Sequence, residues 1–173
     1  AENDGDCIAQ IQTLLGYLPD NCHEMPPVVP STDSPDRECP ELDKIIPDRP
    51  TRGYDMKKVV AAVADGGVFF EPHANWAKNM FVCFIRIMGR TVGVIANNPQ
   101  FGGGVLDVNA SDKASRFIRF CDAFNIPLLT FADVPGYMPG THQEWNGIIS
   151  HGAKLLHAYS EATVPKFTVV TRK

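Results

Sequence analysis

The sequence predicts an α/β protein built around a largely parallel β-sheet. Three observations indicate this class: apolar, β-rich runs at residues 80–87, 91–97, 126–134 and 165–173, helical periodicity between the later runs, and short connections. Strand, helix, strand, helix, strand is the order that right-handed crossovers between parallel strands require.

The first fifty residues predict a helix followed by an extended segment. Apolar side chains recur at helical spacing over residues 7–18, and Pro19 ends the helix. Residues 21–50 hold seven of the chain's 14 prolines and few large apolar residues. Such a segment has no core of its own, so we interpret it as a linker or a strap laid over a surface.

The remaining elements follow in order. Asp55 is predicted to cap a helix that ends at Gly66-Gly67. Residues 80–87 and 91–97 predict a hairpin buried on both faces. Ser111 or Asp112 is predicted to cap a helix with one apolar stripe. We expect residues 143–162 to form a single helix and residues 165–173 a third buried strand.

Composition excludes several classes of function. The chain has 173 residues, 44% of them hydrophobic, and a net charge of −4, which gives no electrostatic case for nucleic acid or an anionic membrane. No apolar run approaches the roughly 18 residues that span a bilayer. The five cysteines lack any C-x-x-C spacing, so we expect reduced thiols and no metal site, Cys22-His23 included.

Few side chains indicate catalysis. The glycines at 102–104 lack the Lys-Ser/Thr of a phosphate-binding P-loop and the spacing of a dinucleotide fingerprint, so they favour tight backbone packing. His151 shares a helical face with Ile148 and Leu155, which favours a hydrogen-bonded histidine over a general base. We expect Asp133 to bond the backbone of the turn that follows it.

The segment "ADVPGYMPGT" is the most constrained in the chain. Its two Pro-Gly pairs follow a strand at the edge where parallel sheets bind ligands. Proline locks φ and glycine permits unusual φ, so the backbone direction is fixed. Two interpretations remain open on these residues alone: a structural turn, and a rigid loop that aims N–H groups at an anionic oxygen.

Longer motifs indicate a family. "FADVPGYMPGTHQE", "GIISHGAKLLHAYSEATVPKFTVVTRK", "RFIRFCDAFNIPLLTF" and "GRTVGVIANNP" closely resemble the carboxyltransferase (β) subunit of biotin-dependent acyl-CoA carboxylases, nearest the propionyl-CoA carboxylase β and methylmalonyl-CoA decarboxylase group. The resemblance covers essentially the whole chain. It implies a crotonase-like ββα superhelix, here the incomplete second domain of a tandem pair. Residues 1–20 would be the exit helix of a preceding domain, 21–52 the linker, and 53–173 the start of the carboxyltransferase domain.

The resemblance also implies a mechanism without a protein base. Carboxybiotin on a partner carrier domain supplies CO2 and then the base for the acyl-CoA α-carbon, and the protein supplies oxyanion holes. The implied biotin-side donors are the backbone groups of Gly136 and Tyr137. Gly103, Gly104, Pro139 and Gly140 are the implied cofactor-binding residues. A partner donor would lie in a glycine-alanine turn after Lys173, so the resemblance implies a fragment that is inactive alone, or else a non-catalytic module.

Partners and location follow from the same resemblance. It implies biotin carboxylase and biotin carboxyl carrier subunits as partners, a hexamer, no metal, and a cytoplasmic or, in a eukaryote, mitochondrial matrix location. The chain departs from the family at Tyr137-Met138, where Phe-Leu is usual, at Ser150, where arginine is common, and in "NPQFGGGVLD". The last departure leaves the acyl preference open between propionyl-CoA and other short acyl-CoAs.

Overall fold

The computed structural model describes residues 1–49 and 51–172 of the chain. Pro50 and Lys173, which belong to the predicted linker and the last predicted strand, lie outside the described residues. The helices are α1 (Asp4–Leu15), α2 (Leu42–Ile45), α3 (Met56–Val63), α4 (Val108–Ala123), α5 (Thr141–Trp145) and α6 (Ile148–Glu161). The strands are β1 (Phe69–Phe70), β2 (Met80–Ile87), β3 (Arg90–Asn97), β4 (Leu128–Ala132) and β5 (Lys166–Val170).

The five strands form one mixed sheet in the order β1-β2-β3-β4-β5. Strands β1, β2 and β3 pair antiparallel, whereas β3, β4 and β5 pair parallel. The predicted hairpin and the predicted crossovers are confirmed, but the sheet is only half parallel. Met88 and Gly89 both have positive φ, 51° and 75°, which is the geometry of a tight two-residue hairpin turn and holds β2 and β3 together.

Alternating side chains of β2 divide the core into two layers. Phe81, Cys83 and Ile85 pack with α3 on one face of the sheet. Val82 and Phe84 pack with α4 and α6 on the other face. This period of two is what a strand requires, and burial on both faces is why the strand is apolar throughout. The resulting sandwich has three layers, α3 on one side and α4 with α6 on the other.

Helix α4 begins earlier than the sequence predicted. Its N-cap is Asp107, whose side chain accepts a hydrogen bond from the Ala110 N–H at 2.7 Å, so the prediction of a cap at Ser111 or Asp112 is wrong. Ser111 lies inside the first turn, and its hydroxyl donates to the Asp107 carbonyl at 2.9 Å. Asp107 caps the helix because its carboxylate reaches a free backbone N–H of the first turn.

The single helix predicted for residues 143–162 is wrong. Gly147 adopts a left-handed conformation, with φ 76° and ψ 39°, and separates α5 from α6. Glycine takes this conformation without the steric cost that other residues incur, so the chain can turn there. The break gives α6 its own start, next to the turn that follows β4.

Strand β5 is not buried, contrary to the prediction. It pairs with β4, and all five of its residues are exposed, Phe167 by 64% and Val170 by 66%. Within the described ranges, β5 is one of the two edge strands of the sheet, and its apolar side chains lack a covering layer.

The segment that follows α1 is tied to the sheet. The Tyr17 ring stacks on Phe84 at 5.9 Å, and the Arg86 guanidinium lies over that tyrosine ring at 4.3 Å. Farther along, the Val29 N–H donates to the Gly89 carbonyl at 3.0 Å. Residues 21–41 contain neither helix nor strand, whereas α2 is a short helix within the predicted linker. Among the described helices, none is long and apolar enough to cross a membrane.

Candidate functional site

The carboxyl ends of β3 and β4 form the ligand edge of the parallel half of the sheet. The turn at residues 133–138 leaves β4 there, and the glycine loop at residues 102–106 follows β3. Ligands of open α/β sheets bind outside the carboxyl ends of their strands. The two loops therefore occupy the position where this type of fold places its chemistry.

Backbone hydrogen bonds join the glycine loop to the turn. The Leu106 N–H donates to the Gly136 carbonyl at 3.0 Å, and the Met138 N–H donates to the Leu106 carbonyl at 2.8 Å. This short parallel bridge directs the intervening Tyr137 N–H away from the glycine loop. Among the described residues, neither the Gly136 N–H nor the Tyr137 N–H has an acceptor. The turn thus holds two unpaired donors in a fixed backbone.

Gly136 gives the turn its conformation. Its φ is 140°, a value that side chains rarely permit, and a Cβ built there would have no atom within 4 Å. Backbone geometry rather than lack of space therefore requires glycine at this position. The preceding Pro135 lacks an N–H and has a fixed φ, so the two residues together set the direction of the free donors.

The Asn97 side chain bridges the two loops from below. Its Nδ2 donates to the Gly104 carbonyl at 3.1 Å, and its Oδ1 accepts from the Asp133 N–H at 3.4 Å. Gly104 packs so closely that a Cβ there would lie 2.7 Å from the Asp133 carbonyl oxygen. Asn79 adds a hydrogen bond of 2.8 Å to the Val105 carbonyl. Gly104 in the glycine loop and Asp133 at the start of the turn are therefore in direct contact.

The structure gives different environments to the residues implied as cofactor contacts. Gly103 is exposed, and its N–H has no acceptor within the described part of the chain. Gly104 is buried, its N–H donates to Phe101, and its carbonyl accepts from Asn97. Pro139 and Gly140 are exposed and lead into α5. Gly103, Gly104, Gly136 and Tyr137 thus belong to two joined loops, and the other two extend from them.

An apolar groove lies beside the turn. Its volume is about 320 Å³, and its lining includes Tyr137, Ile149 and Leu156. The Tyr137 ring rests on Gly152, where an added Cβ would lie 2.8 Å from the ring. Ile149 is 83% exposed and Trp145 is 88% exposed, so α5 and α6 each present a large apolar side chain to solvent.

His151 is held by a carboxylate, as the helical pattern predicted. Its Nδ1 lies 2.8 Å from Asp112 Oδ1, and Lys154 Nζ lies 3.3 Å from the same oxygen. Partial burial raises the pKa of Asp112, but the hydrogen bonds from His151 and Lys154 outweigh it, and the net pKa lies below the usual range. These contacts join α4 to α6 and give His151 a structural partner.

Asp133 does not bond the turn backbone as predicted. Its Oδ2 lies 3.2 Å from Arg172 Nε, and the Arg172 guanidinium stacks over the Tyr54 ring at 5.2 Å. Tyr54 in turn hydrogen bonds Thr171 at 3.1 Å. Burial raises the pKa of Tyr54 to about 12. The prediction failed because Arg172, distant in sequence, reaches the carboxylate and competes with the local turn.

No residues of the described chain form a metal site. Groups of three or more histidine, cysteine, aspartate or glutamate side chains that could hold an ion are absent from residues 1–49 and 51–172. All five cysteines are free, and Cys83 and Cys121 are buried in the core. Burial raises the pKa of both of these thiols, which leaves them protonated and inert.

Lys113 is a buried cation that fixes the loop before β2. Its Nζ donates to the Trp76 carbonyl at 2.7 Å, and only 2% of the residue is exposed. Burial lowers the pKa of Lys113 to about 8, an effect that the nearby Glu71 carboxylate partly offsets. The loop carries Asn79, so Lys113 supports the glycine loop indirectly.

We expect Lys113 to make stability depend on alkaline pH. The pKa of Lys113 is about 8 in the folded state and 10.5 ordinarily, so between these values the unfolded state binds more protons. Raising the pH across this window therefore favours folding, by on the order of 2 kcal/mol for this group. The free energy of unfolding can be measured by urea titration for the native chain and for Lys113→Met, at about pH 7.5 and about pH 9.5. The native chain should gain stability relative to the variant at the higher pH.

Subtracting the Lys113→Met variant cancels the other alkaline titrations. Cys83, Cys121 and Tyr54 have raised pKa values in both proteins, and they act in the opposite direction. A difference in unfolding free energy that stays constant with pH would show that Lys113 is not desolvated.

Sequence reasoning missed the residues that join the loops. Asn97, Asn79 and Leu106 carry the hydrogen bonds, and none was selected as a candidate. One local signal was present: Asn97-Asn98 ends a buried strand at the ligand edge, where polar residues need partners. The identity of those partners requires the folded arrangement.

Fold and site together define a class. The chain is part of a crotonase-like α/β domain, and two backbone N–H groups at its ligand edge, those of Gly136 and Tyr137, lack acceptors among the described residues. The family model for the carboxyl transferase domain matches residues 1–173, so the chain belongs to the carboxyl transferase domain family.

Individual relatives agree with this membership. The chain is 58% identical to methylmalonyl-CoA decarboxylase subunit alpha of Veillonella parvula over 173 residues, which is 100% of this chain and 34% of that protein. It is 52% identical to the human mitochondrial propionyl-CoA carboxylase beta chain over 172 residues, 99% of this chain and 32% of that protein. The solved structure of transcarboxylase 12S, a hexamer with hydrolysed methylmalonyl-coenzyme A bound, superposes with a TM-score of 0.95 at 47% identity, covering 98% of this chain and 34% of that chain. The chain therefore spans about a third of the length of these relatives.

Proposed function

We propose that this chain forms part of a carboxyltransferase that moves a carboxyl group between carboxybiotin and the α-carbon of a short acyl-CoA, propionyl-CoA being the favoured substrate. The observation that carries the proposal is the pair of unpaired N–H groups at Gly136 and Tyr137, fixed at the ligand edge of the sheet. Membership of the carboxyl transferase domain family supports the reaction class. The acyl preference rests on relatives that are named for propionyl-CoA and methylmalonyl-CoA.

The turn fits an anionic oxygen. Two adjacent backbone donors without acceptors among the described residues attract negative charge without needing to reorganise, and the carboxylate of the nearby Asp133 is paired with Arg172. When bound, carboxybiotin would supply CO2 and then a base for the α-proton. The chemistry therefore requires no side-chain base in this part of the protein.

The residues of this chain would stabilise the negative charge that develops on biotin and would position the cofactor. The Gly136 and Tyr137 N–H groups would donate to the ureido oxygen of biotin as negative charge develops there. Gly103 would approach the cofactor through its exposed backbone, with Pro139 and Gly140 at the far side of the turn. Gly104 would contribute from below, because its close packing on Asp133 sets the distance between the loops.

The site does not set the direction of the reaction, which depends on the concentrations of substrates and products. An oxyanion hole stabilises the same transition state for carboxylation and decarboxylation. Relatives named propionyl-CoA carboxylase and methylmalonyl-CoA decarboxylase match the chain over nearly the same residues. We therefore propose one site for both directions.

The apolar face of α5 and α6 is the proposed contact with another subunit. Trp145, Ile149 and Leu156 are 88%, 83% and 65% exposed. Ile149 and Leu156 line the groove beside Tyr137 of the turn. Exposed patches of this kind mark interaction surfaces. The hexamer described for transcarboxylase 12S supports a homo-oligomer as the form that covers it. Biotin carboxylase and biotin carboxyl carrier subunits are the further partners we propose, in the cytoplasm or, in a eukaryote, the mitochondrial matrix.

An exchange chimera tests the proposed function. In it, this chain replaces the aligned third of the transcarboxylase 12S chain, with which it superposes at a TM-score of 0.95. We expect the chimera to form hexamers and to transfer carboxyl groups from methylmalonyl-CoA to biotin. The readout is methylmalonyl-CoA consumption with and without biotin, beside the parent 12S protein and the 173-residue chain alone, which should be inactive.

The proposal would be refuted by an assembled hexameric chimera without biotin-dependent turnover of methylmalonyl-CoA or of malonyl-CoA. A second chimera, in the Veillonella parvula relative at 58% identity, guards against an assembly defect specific to the first host.

A further inference from the structure

We infer that Asn97 is a positioning residue that sets the aim of the Gly136 and Tyr137 donors by joining the glycine loop to the turn. The inference rests on the proposed function, because it assigns to Asn97 a role in the same oxyanion site. Asn97 touches neither substrate nor cofactor in this account. It acts through two backbone groups, the Gly104 carbonyl and the Asp133 N–H.

The contacts of Asn97 form a closed link. Its side-chain amide donates to one loop at 3.1 Å and accepts from the other at 3.4 Å. Only 6% of Asn97 is exposed, so water does not compete effectively for these bonds. The amide is well suited to this task because it presents a donor and an acceptor on one rigid plane.

The hydrogen bonds of Asn97 lie only a few residues from the free N–H groups of Gly136 and Tyr137. Gly104 is two residues before Leu106, and Leu106 makes the two hydrogen bonds that hold Gly136 and Met138. Asp133 is three residues before Gly136 on the other side. Moving either loop relative to the other would displace the Tyr137 N–H, because it lies between the two bridge bonds. Misplacing a catalytic group by about 1 Å can cost on the order of 100-fold in rate.

The adjacent Asn98 offers a matched comparison. It is fully buried, and its Oδ1 accepts from the Met56 and Gln100 N–H groups at 3.3 Å each. Its Nδ2 has no partner among the described residues. Changing Asn98 to aspartate therefore keeps both accepted bonds and removes no donated bond. The same change at Asn97 keeps the bond from Asp133, removes the bond to Gly104, and places a negative oxygen beside a carbonyl.

The test compares Asn97→Asp with Asn98→Asp in the exchange chimera, with Asn97→Ala as a second variant that adds no charge. We expect Asn97→Asp and Asn97→Ala to lower kcat by about 10- to 100-fold and to change the KM for methylmalonyl-CoA by less than about threefold. Asn98→Asp should retain kcat within about threefold. Amide exchange of Leu106 and Met138, measured by mass spectrometry, should accelerate at least about tenfold in the Asn97 variants only.

The two readouts separate the inference from the proposed function. If the native chimera proves inactive, the proposed function fails, and amide exchange at Leu106 and Met138 still decides whether Asn97 joins the loops. Equal amide exchange in the Asn97 and Asn98 variants would overturn the inference. So would a fall in kcat that is the same for both aspartate variants, because it would reflect buried charge alone.

Discussion

Gly136→Ala in the exchange chimera should lower carboxyl transfer by about 100-fold, the loss typical of removing one oxyanion donor. The φ of Gly136 is 140°, so alanine can be accommodated only if the backbone rotates toward negative φ. That rotation would redirect the Gly136 and Tyr137 N–H groups, which are proposed to donate to the biotin oxygen. An added Cβ would contact no atom within 4 Å, so the loss would come from the backbone and not from a clash.

Gly66→Ala provides the control for this substitution. Gly66 also has positive φ, 59°, and a Cβ there likewise has no atom within 4 Å. It lies in the short turn after α3, where Asp65 contacts the β2–β3 hairpin at the end of β3 opposite Asn97. Both variants should lose about 1–3 kcal/mol of stability. Only Gly136→Ala should lose activity, and equal activity of the two variants would remove Gly136 from the proposed site.

Local signals predicted much of the fold. Asp55 caps α3 as expected, with its carboxylate accepting from the Lys57 N–H. The apolar runs of β2 and β3 form the expected hairpin, and the stripe of α4 that includes Phe117 and Ile118 is buried. These features depend on side chains close in sequence, so periodicity and capping suffice to predict them.

Other predictions were wrong where a single residue determines where a helix begins or breaks. Asp107, Ser111 and Asp112 are all competent N-caps, and only the packing of the first turn selects Asp107. Gly147 lies within an otherwise continuous helical pattern, where a glycine is often tolerated. The apolar side chains of β5 predicted a buried strand, but all five of its residues are exposed, because burial depends on a covering layer and not on the strand's own sequence.

The candidate site was only partly predictable. Two Pro-Gly pairs after a strand were enough to select the turn around Gly136, because proline and glycine act locally. The link through Asn97 connects Gly104 and Asp133, which are 29 residues apart in the sequence, and no periodicity reports such a contact. The same holds for Arg172, whose contact with Asp133 arises only after β4 and β5 pair.

A backbone N–H, and not a side chain, performs the proposed stabilising role at Tyr137. The most direct measurement replaces Tyr137 in the chimera with its α-hydroxy acid analogue, which converts the N–H to an ester oxygen and retains the phenol ring. Because this N–H has no acceptor among the described residues, the ester removes no hydrogen bond and only weakens the one that Leu106 donates to the Gly136 carbonyl, so the loss of thermal stability should be modest. The ester should lower kcat by about 100- to 1000-fold, whereas Tyr137→Phe should retain it within about threefold. Full activity of the ester, or an equal loss in Tyr137→Phe, would contradict the account.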